Sequence, residues 1–185
     1  MSSLLYVVNC SLDGYVNDPD GNHDWGAPTP EVFAFLNDVE GRVTTQLYGR
    51  RTYELMTVWE TDPEFADASG HEGDFARWWQ ETEKVVYSTT LTDVVTERTR
   101  LERSFDPEAV RRVKEESPGP LSVFGPTLAA SAFEVGLVDE VHLFVKPLTL
   151  GGGLQAFPPT ALRLDLLDER RFGDGSLYLR YAVES

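Results

Sequence analysis

Arg50 and Arg51 are the residues of this chain that stand out most clearly for their chemistry. They follow Gly49, where a strand, Val43 to Tyr48, gives way to a helix. The first turn of a helix disfavours cations unless an anion lies between them. Positive charge is scarce elsewhere, with 16 basic against 31 acidic residues and a formal charge of −15. The pair therefore reads as an anion site built from charge-assisted hydrogen bonds. The competing reading is two solvated arginines bridging surface carboxylates. A second junction of the same kind lies at Leu121 to Gly136, LSVFGPTLAASAFEVG: a short buried strand, a Gly125-Pro126 turn, and a helix that starts almost without a linker. Glycine has no Cβ, so backbone can approach a ligand there while the first helical N–H groups point outward. Ligands of open α/β sheets sit beyond the carboxyl ends of the strands, and both junctions are such ends.

Other reactive groups are sparse. Asp13-Gly14 follows the first strand and reads locally as an Asx-type turn. Ser88-Thr89-Thr90 ends another strand, where the hydroxyls suit ligand phosphate or ribose, and turn capping explains them almost as well. Gly151 to Ala156 matches G-x-G-x-x-A by letter, but Phe157-Pro158-Pro159 forbids the helix that a dinucleotide fingerprint requires. Those glycines are expected to form a flexible turn near the ligand end of the sheet. His23, His71 and His142 lie far apart without ligand spacing, and Cys10 is the sole cysteine, so no metal site and no intramolecular disulfide are expected. Walker loops, His-Glu-x-x-His and Gly-x-Ser-x-Gly elbows are absent.

The elements that must position these groups follow from periodicity. Leu4 to Asn9 is a nearly continuous apolar run, a central strand buried on both faces. Residues 17–28 form a long loop carrying Trp25, able to close over a ligand. Thr29-Pro30 caps a helix whose apolar positions are Val32, Phe33, Phe35, Leu36 and Val39, ending at Gly41. Residues 60–73 are acidic and turn-rich and read as a solvated surface excursion. Phe75, Trp78 and Trp79 anchor the next helix in the core or in a dimer contact. Lys84 to Tyr87 is a strand, Asp106-Pro107 caps a helix through Glu116, and Glu140 to Val145 is a strand. From Leu162 the apolar residues alternate, turn at Gly173-Asp174-Gly175 and alternate back to Val183, as in a hairpin. Strands separated by helices imply a mostly parallel sheet with helices on both faces, closed by that hairpin. With 185 residues, 41% of them hydrophobic, the chain has material for one well-cored domain spanning 1–185. No membrane-length apolar run or signal-peptide flank is present, so a cytoplasmic location is expected. The acidic balance excludes a general nucleic-acid or anionic-membrane surface.

Ser11-Leu12-Asp13-Gly14, Gly49 to Glu54, Val123-Phe124-Gly125, Gly136 to Glu140, and Pro147 to Gly153, in that order, resemble the dihydrofolate reductase superfamily. The closer resemblance, over nearly the whole chain, is to the C-terminal reductase domain of riboflavin-biosynthesis deaminase-reductases and its stand-alone relatives. It implies a three-layer α/β/α fold and an NADPH-dependent reductase acting on a small pterin- or pyrimidine-like or carbonyl substrate. A non-catalytic NADP(H)-binding module on the same fold is the alternative. By position, Gly49, Arg50, Arg51 and Thr52 hold cofactor phosphates, and Ser88 and Thr89 lie near the adenosine ribose phosphate. Phe124, Gly125, Pro126, Thr127 and Leu128 lie under the pyrophosphate, and Asn9 and Cys10 line the nicotinamide end through their backbone. Glu31 is the first candidate proton donor and Asp13 the second, with Trp25, Glu31 and Phe35 on the substrate side. The family's two successive glycines are here Gly125-Pro126, for which a cis peptide is expected, since cis costs an X-Pro bond only about 0.5–1 kcal/mol. The resemblance also implies a homodimer.

Overall fold

The computed structural model describes residues 2–184. An apolar run opens the chain as β1 (Leu4–Ser11), followed by a short β2 (Tyr15–Asn17) and a single 3₁₀ turn at Asp24–Gly26. Next come α1 (Pro30–Glu40), β3 (Thr45–Gly49), α2 (Arg50–Met56), α3 (Val58–Thr61), α4 (Pro63–Ala66) and α5 (Gly70–Glu81). The middle of the chain holds β4 (Glu83–Tyr87), β5 (Thr99–Glu102), α6 (Pro107–Glu116), β6 (Leu121–Phe124) and α7 (Pro126–Glu134). It ends with β7 (Glu140–Lys146), β8 (Leu154–Gln155), β9 (Leu164–Arg171) and β10 (Leu177–Val183).

Eight strands form one sheet in the order β5-β4-β3-β6-β1-β7-β10-β9, and β2 pairs separately with β8. Pairing is parallel from β5 to β7, and β10 runs antiparallel to both β7 and β9. The result is a three-layer α/β/α molecule of dihydrofolate reductase type with the expected closing hairpin. One face of β1 (Leu4, Tyr6, Val8, Cys10) packs with Leu128, Ala129 and Phe133 of α7 and Val110 of α6. The other face (Leu5, Val7) packs with Val32 of α1, Phe144 and Tyr178. Period-2 alternation on a strand apolar on both faces explains why the run reads as continuous.

Helix starts follow local chemistry. Thr29 Oγ1 accepts the Val32 N–H at 3.4 Å with Pro30 next in line, and Asp106 accepts the Glu108 N–H at 3.0 Å ahead of Pro107. The same signature at Asp62-Pro63, where Asp62 accepts the Glu64 N–H at 3.0 Å, corrects the reading of residues 60–73 as a solvated excursion. Part of α3, all of α4 and the start of α5 lie there. Trp59 is the reason: its ring packs on Phe33, Phe65 and Phe75 with centroids 4.8–6.0 Å away, which ties this acidic stretch to the core. Trp79 is fully buried beside Phe75. Lys84, also buried, donates from Nζ to the carbonyls of Trp79 and Thr82 at 2.9 Å. It thereby satisfies carbonyls at the end of α5.

No peptide bond among the described residues is cis, so the expected cis Gly125-Pro126 is corrected to trans. Gly125 makes the turn instead with φ 88° and ψ 129°, a region closed to residues bearing a Cβ. The short strands β2, β5 and β8 carry too few alternating residues to be read from sequence. None of the described helices is long and apolar enough to cross a membrane.

Candidate active site

The two junctions meet. Gly49 ends β3 and Arg50 opens α2; Phe124 ends β6 and Pro126 opens α7. β3 and β6 are parallel neighbours in which Tyr48 pairs with Phe124, so both chain segments leave the sheet side by side at its carboxyl edge. A Cβ placed on Gly125 would lie 2.6 Å from Thr52 Oγ1. That closeness leaves room only for glycine. Neither helix has a side-chain cap, so no side chain at these helix entries takes up the opening N–H groups.

That space is a cleft of about 510 Å³ bordered by Gly49 to Thr52, Tyr87, Phe124 to Leu128, Ser131 and Leu154. It continues into a second cavity of about 570 Å³. Arg51, Thr52, Phe124, Gly125, Pro126 and Leu154 border both. Asn9, Asn17, His23, Glu54 and Leu55 are among the residues that border the second cavity alone. Arg50 pairs with Glu54 at 3.2 Å, one turn along α2, leaving Arg51 as the arginine common to both spaces. Phe124 stacks on the buried Tyr48 ring with centroids 5.3 Å apart, which fixes the floor where the two cavities join.

The remaining sequence-expected residues are placed as follows. Asn9 faces the second cavity, whereas Cys10 points to the opposite face of β1, into the core, where burial pushes its thiol up to about 11. Ser88 Oγ accepts the N–H groups of Thr90 and Leu91 at 3.2 and 2.9 Å. It serves as a turn cap, with exposed Thr89 beside it and Tyr87 nearer the cleft. Asp13 accepts from Ser11 Oγ at 2.6 Å and from the backbone N–H groups of Leu150 and Gly151 at 3.0 and 2.7 Å. The Ser11 hydroxyl and then these amides hold its carboxyl below the usual carboxylate range. A carboxylate so engaged is a staple for the glycine loop. Glu31 accepts the Gly173 N–H at 2.9 Å and pairs with Arg170 at 3.4 Å, which ties α1 to the closing hairpin. Phe35 borders a separate cavity of about 350 Å³ with His142, Tyr178 and Arg180. Trp25 is half-buried, its Nε1 donating to the Asn22 carbonyl at 3.2 Å. Neither Asp13 nor Glu31 borders the two joined cavities.

Tyr87, Ser131, Leu154, Asn17, His23 and Glu54 are cleft residues that sequence reasoning missed. Tyr87 ends β4 at the same sheet edge as Gly49, so the strand-end rule could have found it. Leu154 is brought over the cleft by the Gly151–Gly153 loop. A Cβ on Gly153 would meet the Asn17 carbonyl at 1.9 Å, so glycine is what lets β8 dock on β2. Among the described residues no cluster of histidine, cysteine and carboxylate side chains could hold a metal.

Comparisons with known proteins agree with this architecture. The family model of the RibD C-terminal domain matches residues 3–178. The uncharacterized protein YyaP of Bacillus subtilis is 26% identical over 183 residues, covering 96% of this chain and 93% of its own. A Shewanella sp. PV-4 structure named for riboflavin biosynthesis superposes with a TM-score of 0.77 at 20% identity, covering 99% of each chain. A diaminohydroxyphosphoribosylaminopyrimidine deaminase/5-amino-6-(5-phosphoribosylamino)uracil reductase from Thermotoga maritima superposes with a TM-score of 0.66 at 13% identity. The match covers 98% of this chain and 56% of that one, so this chain spans about half of the bifunctional protein. The two uncapped helix entries, the parallel sheet with its closing hairpin and the match over residues 3–178 agree: the chain belongs to the RibD C-terminal domain family, within the dihydrofolate reductase-like superfamily.

Proposed function

We propose that the protein is a stand-alone NADPH-dependent reductase that delivers hydride to a small pterin- or pyrimidine-like or carbonyl substrate. The observation that carries this reading is the close approach of Gly125 to Thr52, which sets two uncapped helix entries and Arg51 around one cleft, an arrangement suited to an anion. Its walls suit a phosphorylated dinucleotide: N–H groups of Thr127 and Leu128 for the pyrophosphate, the Thr52 hydroxyl between the segments, and two arginines. The cofactor, when bound, supplies the hydride.

The protein's part is to hold the acceptor carbon about 3–3.5 Å from the donor and to provide a proton. The second cavity is the substrate chamber in this reading, with Asn9 and Asn17 as amide partners for a heterocycle. His23 is the proton donor, since it borders that cavity and an imidazole ring nitrogen can deliver a proton to a bound heteroatom. Asp13 and Glu31 act through position, holding the glycine loop and the hairpin. A pyrimidine-like substrate accords with the uracil reductase named among the structural relatives.

Calorimetric titration with NADPH and NADH tests the cofactor, and loss of NADPH absorbance with a pterin and pyrimidine panel tests turnover. Arg51→Ala is expected to weaken NADPH binding by about 10–100-fold, the worth of one or two charge-assisted bonds. Arg50→Ala is expected to cost less, because Glu54 already holds Arg50. Unchanged affinity in both variants would remove the phosphate assignment. Tight binding without turnover across the panel would favour a non-catalytic NADP(H)-binding module.

A further inference from the structure

The cavity that Asn9 and His23 border has walls that select among acceptors. Its volume of about 570 Å³ lies within the usual range of small-molecule sites, about 300–1,000 Å³. A compact heterocycle fits such a space with or without a phosphate ester. Size does not choose between the two forms, so the chemistry of the walls must.

Apolar side chains enter those walls from five elements: Val16 of β2, Leu55 of α2, Phe124 of β6, Pro126 of α7 and Leu154 of β8. Leu55 and Leu154 are 53% and 40% exposed. A single exposed leucine means little. These two come from separate elements and border one cavity, where an apolar ring would take both out of water.

The distribution of charge agrees. Arg51 stands where the chamber meets the first cleft, and in the reading above the cofactor's phosphates engage it. Among the described residues no other lysine or arginine borders the chamber, whereas Glu54, the partner of Arg50, does. Residues 17–28, which reach the chamber at Asn17, Gly21 and His23, hold Asp18, Asp20 and Asp24 with neither lysine nor arginine. Asp18 folds this stretch by accepting the Asp20 and Asn22 N–H groups at 3.0 and 2.8 Å. Lys146 donates to the Ala27 carbonyl at 3.2 Å and pairs with Asp174 at 3.6 Å, so its charge is already matched. A phosphate dianion entering here would exchange water for apolar walls with no cation to meet it. The amides of Asn9 and Asn17 are instead neutral partners for ring N–H and C=O groups. Asn17 Oδ1 already accepts the Leu154 N–H at 2.9 Å, which leaves its NH₂ group as the donor.

We propose that the acceptor reduced in this chamber is an uncharged, unphosphorylated planar ring compound bearing a C=N or conjugated C=O bond. The assignment rests on the reductase reading. The acceptor carbon gains the hydride that NADPH gives up, its nitrogen or oxygen gains a proton from His23, and NADP+ is left; solvent returns the proton to His23.

Calorimetry on the full chain saturated with NADP+ tests this with two pairs of probes that differ by one phosphate ester: 6-hydroxymethylpterin and its monophosphate, and uridine and its 5′-monophosphate. In at least one pair the unphosphorylated member is expected to bind at least about tenfold more tightly. Leu55→Arg puts a cation at the chamber wall from an exposed position, and it is expected to tighten binding of that pair's ester at least about tenfold. Damage to the fold cannot produce such a gain. Esters bound as tightly as their parents by the unaltered chain would overturn the proposal alone. So would a chain that takes up NADP+ but neither member of either pair, or an ester affinity indifferent to Leu55→Arg. A chain that takes up no NADP+ would remove the reductase reading, and the proposal with it.

Discussion

At the scale of single residues, Gly125 carries the most specific demand. Its positive φ of 88° and the 2.6 Å approach of an added methyl to Thr52 Oγ1 are separate obstacles to any side chain. Gly125→Ala is expected to destabilise the protein by about 1–3 kcal/mol and to weaken NADPH binding at least tenfold; thermal melts and calorimetry check both. Gly136, also at positive φ but with open space around its Cβ position, is the control: Gly136→Ala is expected to lower stability and leave cofactor affinity unchanged. Asp13 makes a different prediction. Asp13→Ala removes the acceptor of the Leu150 and Gly151 amides, so those two amides are expected to exchange with solvent faster by hydrogen-exchange NMR. The cleft residues were legible in sequence where residue type conflicted with its surroundings, as with Arg50 and Arg51 in an acidic chain. His23 lies in a polar loop and Asn17 ends the short β2, and nothing in the local pattern distinguishes them, so only tertiary placement reveals them.

At the scale of elements, the end of α1 holds a carboxyl with no ionic partner among the described residues. Glu40 is fully buried over β3 and β6, where Gln46 pairs with Ser122. Burial pushes its pKa up to about 8. The nearby Ser122 hydroxyl lowers it slightly, without a hydrogen bond of standard geometry to the carboxyl. Such a group is protonated when folded and ionised when unfolded across the interval from its ordinary value of 4.5 to about 8. The folded state then binds more protons, so stability falls as pH rises through that interval and levels off above it. Glu40→Gln is expected to flatten the decline, as urea titrations between pH 5 and 8 would record; an unchanged slope would mean that Glu40 is ionised in the fold. The helices that begin with Thr29-Pro30 and Asp106-Pro107 were legible because cap and proline coincide with apolar periodicity. α3 and α4 were not, because their anchor, Trp59, is separated in sequence from the rings it packs on.

At the scale of the whole molecule, the alternation of strands and helices from residue 4 to 145 dictated a parallel sheet, and the alternating apolar residues after Leu162 dictated the hairpin. The order of the strands, with β6 inserted between β3 and β1, is what brings Gly49 and Gly125 together. That adjacency depends on long-range pairing that no local pattern encodes.

The central claim is that two helix entries grip one phosphorylated nicotinamide carrier. Amide chemical-shift mapping on addition of NADPH tests it most directly. The account predicts large, concerted shifts at Gly49 to Thr52 and at Gly125, Thr127 and Leu128, saturating together. Shifts confined to the cavity beside Phe35, His142 and Tyr178, or to only one of the two turns, would contradict it.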